Sequence, residues 1–209
     1  MKKIKICTPV VGKTLRKFLN NLDQVQAVSD MVELRVDEIK DLSKNDLKLI
    51  RKRTTKKVIF TSIRKEIILK VLDLGFDFID IDLSLIKDFN LSKQTRNKMI
   101  ISFHDFKKTP DVNKLKTILN VMRKFKHGII KIATLANNKQ DVRNLFMTLL
   151  NKKANEKMIM VGMGKKGKAT RIFGPLFGSF LTFAKTKYGS SEQGQIDIDK
   201  LKNIYKLIT

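Results

Sequence analysis

Residues 128–134 read Gly-Ile-Ile-Lys-Ile-Ala-Thr, an apolar run with one lysine at its centre. Ile129, Ile130, Ile132 and Ala133 give the near-continuous hydrophobicity of a strand covered on both faces, as in parallel sheets. Lysine is almost never fully buried unless it is paired. Burial disfavours the ammonium form, and a neutral amine is a nucleophile toward a ketone or aldehyde. The competing reading of Lys131 is a strand-end lysine whose head reaches water along its stem.

Outward from this run, strand-like and helix-like patterns alternate. On the C-terminal side, Val142, Leu145, Phe146, Leu149 and Leu150 make a helix face, and Met158–Val161 reads as a strand. A glycine-rich stretch, 162–167, precedes a helix around Arg171. Gly174, Pro175 and Gly178 punctuate the chain before a strand over Phe180–Ala184. Ile198, Leu201, Ile204, Tyr205 and Ile208 form a closing helix. On the N-terminal side, Met99–His104 is a strand, and Thr109-Pro110-Asp111 starts a helix with the stripe Val112, Leu115, Ile118, Leu119 and Met122. Further back, strands are expected over Lys3–Val11, Met31–Asp37, Val58–Ile63 and Phe76–Leu83. Helices are expected around Leu15–Val25, Leu42–Lys52, Lys65–Leu74 (stopped at Gly75) and Leu91–Arg96.

Regular alternation implies a parallel sheet covered by helices, and about eight evenly spaced units imply a (β/α)8 barrel. No proline- or serine-rich linker divides them, so residues 1–209 read as one compact α/β TIM-barrel domain. An open doubly wound sheet is the alternative. It usually carries a glycine fingerprint after the first strand, and Gly12 alone is not one.

The net charge of +24 raises the question of a polyanionic partner. The lysines are spread along the whole chain, with no basic tail, zinc-finger spacing or aromatic-rich RNA-binding motif. A solvated lysine-rich surface fits that spread, and no specific nucleic-acid partner is expected. Such a field raises the encounter rate with a small anionic substrate. Cys7 is the only cysteine, which points to a reducing, cytoplasmic setting. No run approaches the ~20 apolar residues of a membrane span, and the N-terminal residues lack the pattern of a signal peptide.

In a barrel, one face of each strand meets the helices and the other faces inward. Val32, Leu34 and Val36 suit the helix layer, which sends Glu33 and Arg35 inside. The same alternation sends Asp80 and Asp82 inward, pairs Ser102 with His104 on one face, and sets Lys131 beside Ile129 and Ala133. Each has a structural reading. Glu33 and Arg35 fit an ion pair, Asp80 and Asp82 fit partners for buried cations, and His104 fits an ordinary buried histidine. Together they make an acid–base cluster next to an amine, near the strand C-terminal ends where barrel active sites form.

Five blocks in order resemble the type I 3-dehydroquinate dehydratases, the Schiff-base-forming enzymes of the shikimate pathway. They are Glu33-Leu34-Arg35-Val36-Asp37; Ser102-Phe103-His104-Asp105-Phe106 with Thr109-Pro110; Lys131-Ile132-Ala133 with Asn138-Lys139 and Asp141-Val142; Arg171 through Gly178-Ser179 with Thr182-Phe183; and Gly194-Gln195-Ile196. The resemblance implies that Lys131 forms an imine with the ketone of 3-dehydroquinate. It implies that His104 removes the neighbouring proton and later protonates the departing hydroxyl, and that Glu33 supports and orients the histidine. Arg171 is the implied partner of the substrate carboxylate, Arg35 and Arg64 are implied to bind substrate, and Ser191 and Gln195 belong to a closing loop. No metal or organic cofactor is implied, and a homodimer is compatible with the family. Where the family has Glu-Gly-Gly after its third-strand arginine, this chain reads Lys65-Glu66-Ile67-Ile68, and no role carries over to Glu66. Two other readings stay open: a class I lysine-imine barrel of aldolase type, with 162–167 as a phosphate loop, and a non-catalytic basic barrel that binds nucleic acid.

Overall fold

The computed structural model describes residues 4–125, 127–192 and 194–208. Strands and helices alternate as β1 (Ile6–Val10), α1 (Leu15–Val28), β2 (Met31–Arg35), α2 (Lys44–Arg53), β3 (Lys57–Thr61), α3 (Lys65–Val71) and β4 (Phe78–Asp82). A 3-10 turn (Ile86–Asp88) follows, then α4 (Lys93–Lys98), β5 (Met99–Asp105), α5 (Val112–Arg123), β6 (Ile129–Leu135) and α6 (Lys139–Leu150). The chain ends with β7 (Met158–Met163), α7 (Lys168–Phe173), β8 (Thr182–Lys185), β9 (Ile196–Asp197) and α8 (Ile198–Ile208).

The sheet order is β7-β6-β5-β4-β3-β2-β1-β8-β9, with parallel ladders throughout. The barrel closes between β7 and the residues leading into β8, where Met158 bridges Ser179 in parallel and the Phe180 N–H donates to the Met158 carbonyl at 2.7 Å. That contact curls the sheet into the expected α/β barrel.

Alternation along the strands sorts side chains into two cores. Val32, Leu34, Val58, Phe60, Ile79, Ile81, Ile101, Ile130 and Ile132 pack outward against helix residues such as Phe18, Leu22, Ile50, Leu115 and Leu145. Cys7, Met31, Ile59, Ile100, Ile129, Ile159, Leu181 and Phe183 fill the interior instead. The polar residues of the same inward faces sit among them: Glu33, Asp80, Ser102 and Lys131 are all buried.

Local chemistry sets the helix starts. Thr14, Ser43, Ser92, Asp111 and Asn138 each accept a hydrogen bond from a first-turn N–H, and Ser43 forms a capping box with Asp46. The Ser92 cap explains why α4 starts later than the apolar pattern suggests. The strand expected from Phe180 begins at Thr182, because Phe180 bonds to Met158 at the closure instead of entering the β8 ladder. The start of the first expected strand, at Lys3, lies outside the described residues. Among the described residues, no helix is long and apolar enough to cross a membrane.

One surface pair ties α5 to the loop before β7. Arg123 donates from Nε and Nη2 to the two oxygens of Glu156, both at 2.8 Å. These bonds hold the Glu156 carboxyl below the usual carboxylate range. The stability it contributes is therefore present above the unfolded value of about 4.3 and lost as pH falls through the depressed folded value. Glu156→Gln is expected to cost about 1 kcal/mol at pH 7 in urea unfolding, with the gap to wild type narrowing steadily as pH falls from about 4.

Candidate active site

Lys131 sits on the inward face of β6 and is 5% exposed. Its Nζ donates to Asp80 Oδ2 on β4 at 2.7 Å and lies 3.5 Å from Glu33 Oε1 on β2. The ring of Phe183, on β8, is 5.2 Å from Nζ. Burial pulls the lysine pKa down, but the Asp80 and Glu33 carboxylates outweigh it and hold the group above its ordinary value. The resting amine is therefore an ammonium, not the neutral amine expected from burial alone. Lys131 is a paired lysine and does not reach out to water.

His104 projects from β5. Its Nδ1 lies 2.9 Å from Asp82 Oδ2, and its ring stacks on Phe106 with centroids 5.9 Å apart and planes 6° from parallel. Glu33, expected to orient this histidine, bonds elsewhere. Its Oε1 accepts from Thr61 at 3.2 Å and faces Lys131, and its Oε2 faces Ser191 Oγ at 3.5 Å. The parallel register explains the difference. Asp82 pairs with Ser102, one step from His104 on the same face, while Glu33 pairs with Ile59 two strands further round.

Arg171, on α7, is 1% exposed, and its Nε and Nη2 find no hydrogen-bond partner within the protein. Burial lowers its pKa to about 10, with Glu192 and Glu33 opposing the shift, so the guanidinium stays charged at neutral pH. Arg35 donates to Asp37 at 3.1 Å and has Glu192 at 4.0 Å. The segment between β8 and β9 covers these groups. Gln195 donates from Nε2 to Ser191 Oγ at 3.0 Å and accepts from Ser190 Oγ at 3.0 Å. At Gly194, φ is +83°, and a Cβ would stand 2.2 Å from the Gly164 carbonyl oxygen. Glycine is what lets this segment press onto the turn after β7.

One cavity collects Glu33, Arg35, His104, Lys131, Arg171, Ser191, Glu192 and Gln195, with Ala133, Val161, Met163 and Phe183 as apolar walls. Seven of the eight expected site residues therefore converge. Arg64 is the exception: its Nη2 donates to the Val36 and Ile39 carbonyls at 3.1 and 2.9 Å, so it holds the loop after β2 and does not line the cavity. Gly167 lets the turn after β7 pack closely against the end of that strand, where a Cβ on it would meet the Gly162 carbonyl oxygen at 2.2 Å. Among the described residues, no group of three or more His, Cys, Asp or Glu side chains is placed to hold a metal ion.

Fold and cavity together define a (β/α)8-barrel enzyme site. The Type I 3-dehydroquinase family model matches residues 6–209. A 3-dehydroquinate dehydratase of Coxiella burnetii (strain CbuK_Q154) is 37% identical over 216 residues, spanning 97% of this chain and 92% of the relative. A 3-dehydroquinate dehydratase of Methanocaldococcus jannaschii is 37% identical over 219 residues, spanning 97% of this chain and 98% of the relative. The crystal structure of 3-dehydroquinate dehydratase from Geobacillus kaustophilus HTA426 shares the fold, with a TM-score of 0.85 at 24% identity over 99% of this chain and 91% of that one. The chain belongs to the type I 3-dehydroquinase family.

A buried cation with no protein acceptor for two of its donors costs stability. Arg171→Met, which keeps length and removes charge, is therefore expected to leave Tm unchanged or raise it in the absence of ligand. The same variant should weaken binding of an anionic substrate by at least ~30-fold in KM, the ~2–5 kcal/mol typical of a truncated buried charge pair. Thermal melts and steady-state kinetics on one preparation test both halves. A Tm lower by several degrees would make the guanidinium a structural element.

Proposed function

We propose that this chain, acting as one catalytic unit, dehydrates 3-dehydroquinate to 3-dehydroshikimate through an imine on Lys131. The observation that carries the reading is a buried lysine in the same cavity as Arg171, a buried arginine with two unpartnered nitrogens. The first suits a carbonyl and the second a carboxylate, and the relatives named above are dehydratases of a substrate that carries both.

Lys131 must first give up a proton. Asp80, in direct contact with Nζ, is the group placed to take it. The amine then adds to the ketone carbon, the proton held by Asp80 passes to the carbinolamine hydroxyl, and loss of water leaves a protonated imine with Asp80 ionised again. Asp80 and Glu33 stabilise this cation as they stabilise the ammonium, so their charge serves both states. The proton next to the imine carbon is acidified because its electrons can delocalise into the C=N bond. His104 removes it, giving an enamine. The enamine electrons expel the β-hydroxyl, which leaves as water with the proton returned by His104. Hydrolysis of the conjugated imine frees the enone and restores the amine. A histidine, with a reference pKa of ~6.5, can work in both directions near neutral pH, worth roughly 10²–10⁴-fold.

In this reading Arg171 binds the substrate carboxylate, where its planar fork can make two parallel bonds. Arg35, Ser191 and Gln195 complete the polar wall on the side of the closing segment. Arg64 acts from outside the cavity by holding the loop after β2.

The ultraviolet absorbance of the enone product follows the reaction directly. Wild-type protein is expected to convert 3-dehydroquinate, Lys131→Ala to lose turnover, and His104→Ala to form the imine slowly without efficient elimination. Normal turnover by Lys131→Ala would end the covalent mechanism. Aldol cleavage of a sugar phosphate, with 3-dehydroquinate untouched, would replace the reaction altogether.

A further inference from the structure

We propose that Asp82 is the positioning residue for His104, setting which ring nitrogen carries the proton. The inference deepens the dehydratase reading and rests on it for the role of His104. It separates the carboxylates of the barrel into two sets. Asp80 and Glu33 serve the lysine, and Asp82 serves the histidine.

The contact is built by both strands. Asp80 and Asp82 occupy the same inward face of β4, and Asp82 aligns with Ser102 of β5. His104 follows Ser102 on the same face, so its ring reaches the last carboxylate of β4. Asp82 Oδ2 lies 2.9 Å from Nδ1. Its other oxygen, Oδ1, accepts from the Ser84 N–H at 2.9 Å and from Ser84 Oγ at 2.7 Å. The carboxylate is thus anchored to its own turn and cannot swing away without breaking both bonds. The Phe106 ring lies parallel to the imidazole on its face, while Asp82 holds it from its edge.

The chemistry of the partner decides the tautomer. Burial pushes the Asp82 carboxyl up, but bonds from His104 and Ser84 outweigh this and hold it below its ordinary value. An ionised carboxylate only accepts hydrogen bonds, so Nδ1 of a neutral His104 must carry the hydrogen. The lone pair is then on Nε2, and His104 lines the cavity that holds Lys131. A base whose lone pair pointed at Asp82 could not take a proton from a substrate. No other carboxylate is placed to do this among the described residues. The oxygens of Glu33 are taken up by Thr61, Lys131 and Ser191, and Glu66 is exposed on the first turn of α3.

The test uses the full chain labelled with 15N at histidine. The sequence has two histidines, and His127→Gln leaves His104 as the single signal. Two-bond proton–nitrogen correlations of the neutral ring are expected to report the Nδ1–H tautomer in wild type. Asp82→Asn, whose amide can donate to Nδ1, is expected to shift it toward Nε2–H. Its kcat should fall by roughly 10²–10⁴-fold with KM within a few-fold, while borohydride with 3-dehydroquinate still traps an adduct on Lys131. Asp82→Glu should restore the tautomer and a large share of kcat. An Nε2–H tautomer in wild type, an Asp82→Asn kcat within threefold of wild type, or a loss of turnover with the Nδ1–H tautomer retained would each overturn the proposal. If the tautomer shifts as expected but wild type converts no 3-dehydroquinate, the dehydratase reading fails and the pairing stands.

Discussion

The buried contact between Lys131 and the carboxylates of Asp80 and Glu33 is the constraint on which the rest of the molecule depends. Taking these ions out of water costs several kcal/mol each, and the cost is offset only where geometry is good and the remaining lone pairs find partners. Here the three groups come from β6, β4 and β2, so no single βα unit can assemble them. They meet only when the inward faces of alternate strands are brought to one level by the parallel register of a closed barrel. The apolar layer beneath, including Ile59, Ile100, Ile129 and Ile159, keeps water from the pair and is supplied by the same strand faces.

The balance of charge around that pair shapes what the cavity can receive. Lys131, Arg35 and Arg171 face Glu33 and Glu192 across a small enclosed space. The lysine is neutralised by carboxylates in contact with it, whereas Arg171 is buried with donors unpartnered. The electrostatic deficit is thus local to Arg171, and an anion that enters there meets donors that no protein acceptor occupies. Ser190, Ser191 and Gln195 are tied together at the cavity by side-chain bonds, and Glu192 lies 4.0 Å from Arg35. An entering anion competes with that carboxylate for the same arginine.

Much of this was legible in the sequence, for reasons of locality. The alternation in Met31–Asp37 and Phe76–Leu83 sends Glu33, Arg35, Asp80 and Asp82 inward because strand geometry has a period of two. The apolar run around Lys131 marks a strand covered on both faces. Three features were not legible because they depend on partners far along the chain. The charge state of Lys131 is set by carboxylates 51 and 98 positions away in sequence, which outweigh the burial that the run itself announces. The partner of His104 depends on how β4 and β5 align, which periodicity does not encode; Asp82 read as a partner for a buried cation without that cation being known. Arg64 reads like any substrate-binding arginine after a third strand, and only the path of the loop after β2 shows its Nη2 donating to the Val36 and Ile39 carbonyls. A loop has no period from which to read that path.

The central claim is that Lys131, held between two carboxylates at rest, becomes the nucleophile. The most direct measurement is reduction with borohydride in the presence of 3-dehydroquinate, followed by peptide mapping by mass spectrometry. The account predicts one ligand-derived adduct, on Lys131, among the 35 lysines of the chain. An adduct distributed over surface lysines, or none at Lys131 under conditions that trap a known imine-forming enzyme, would contradict it.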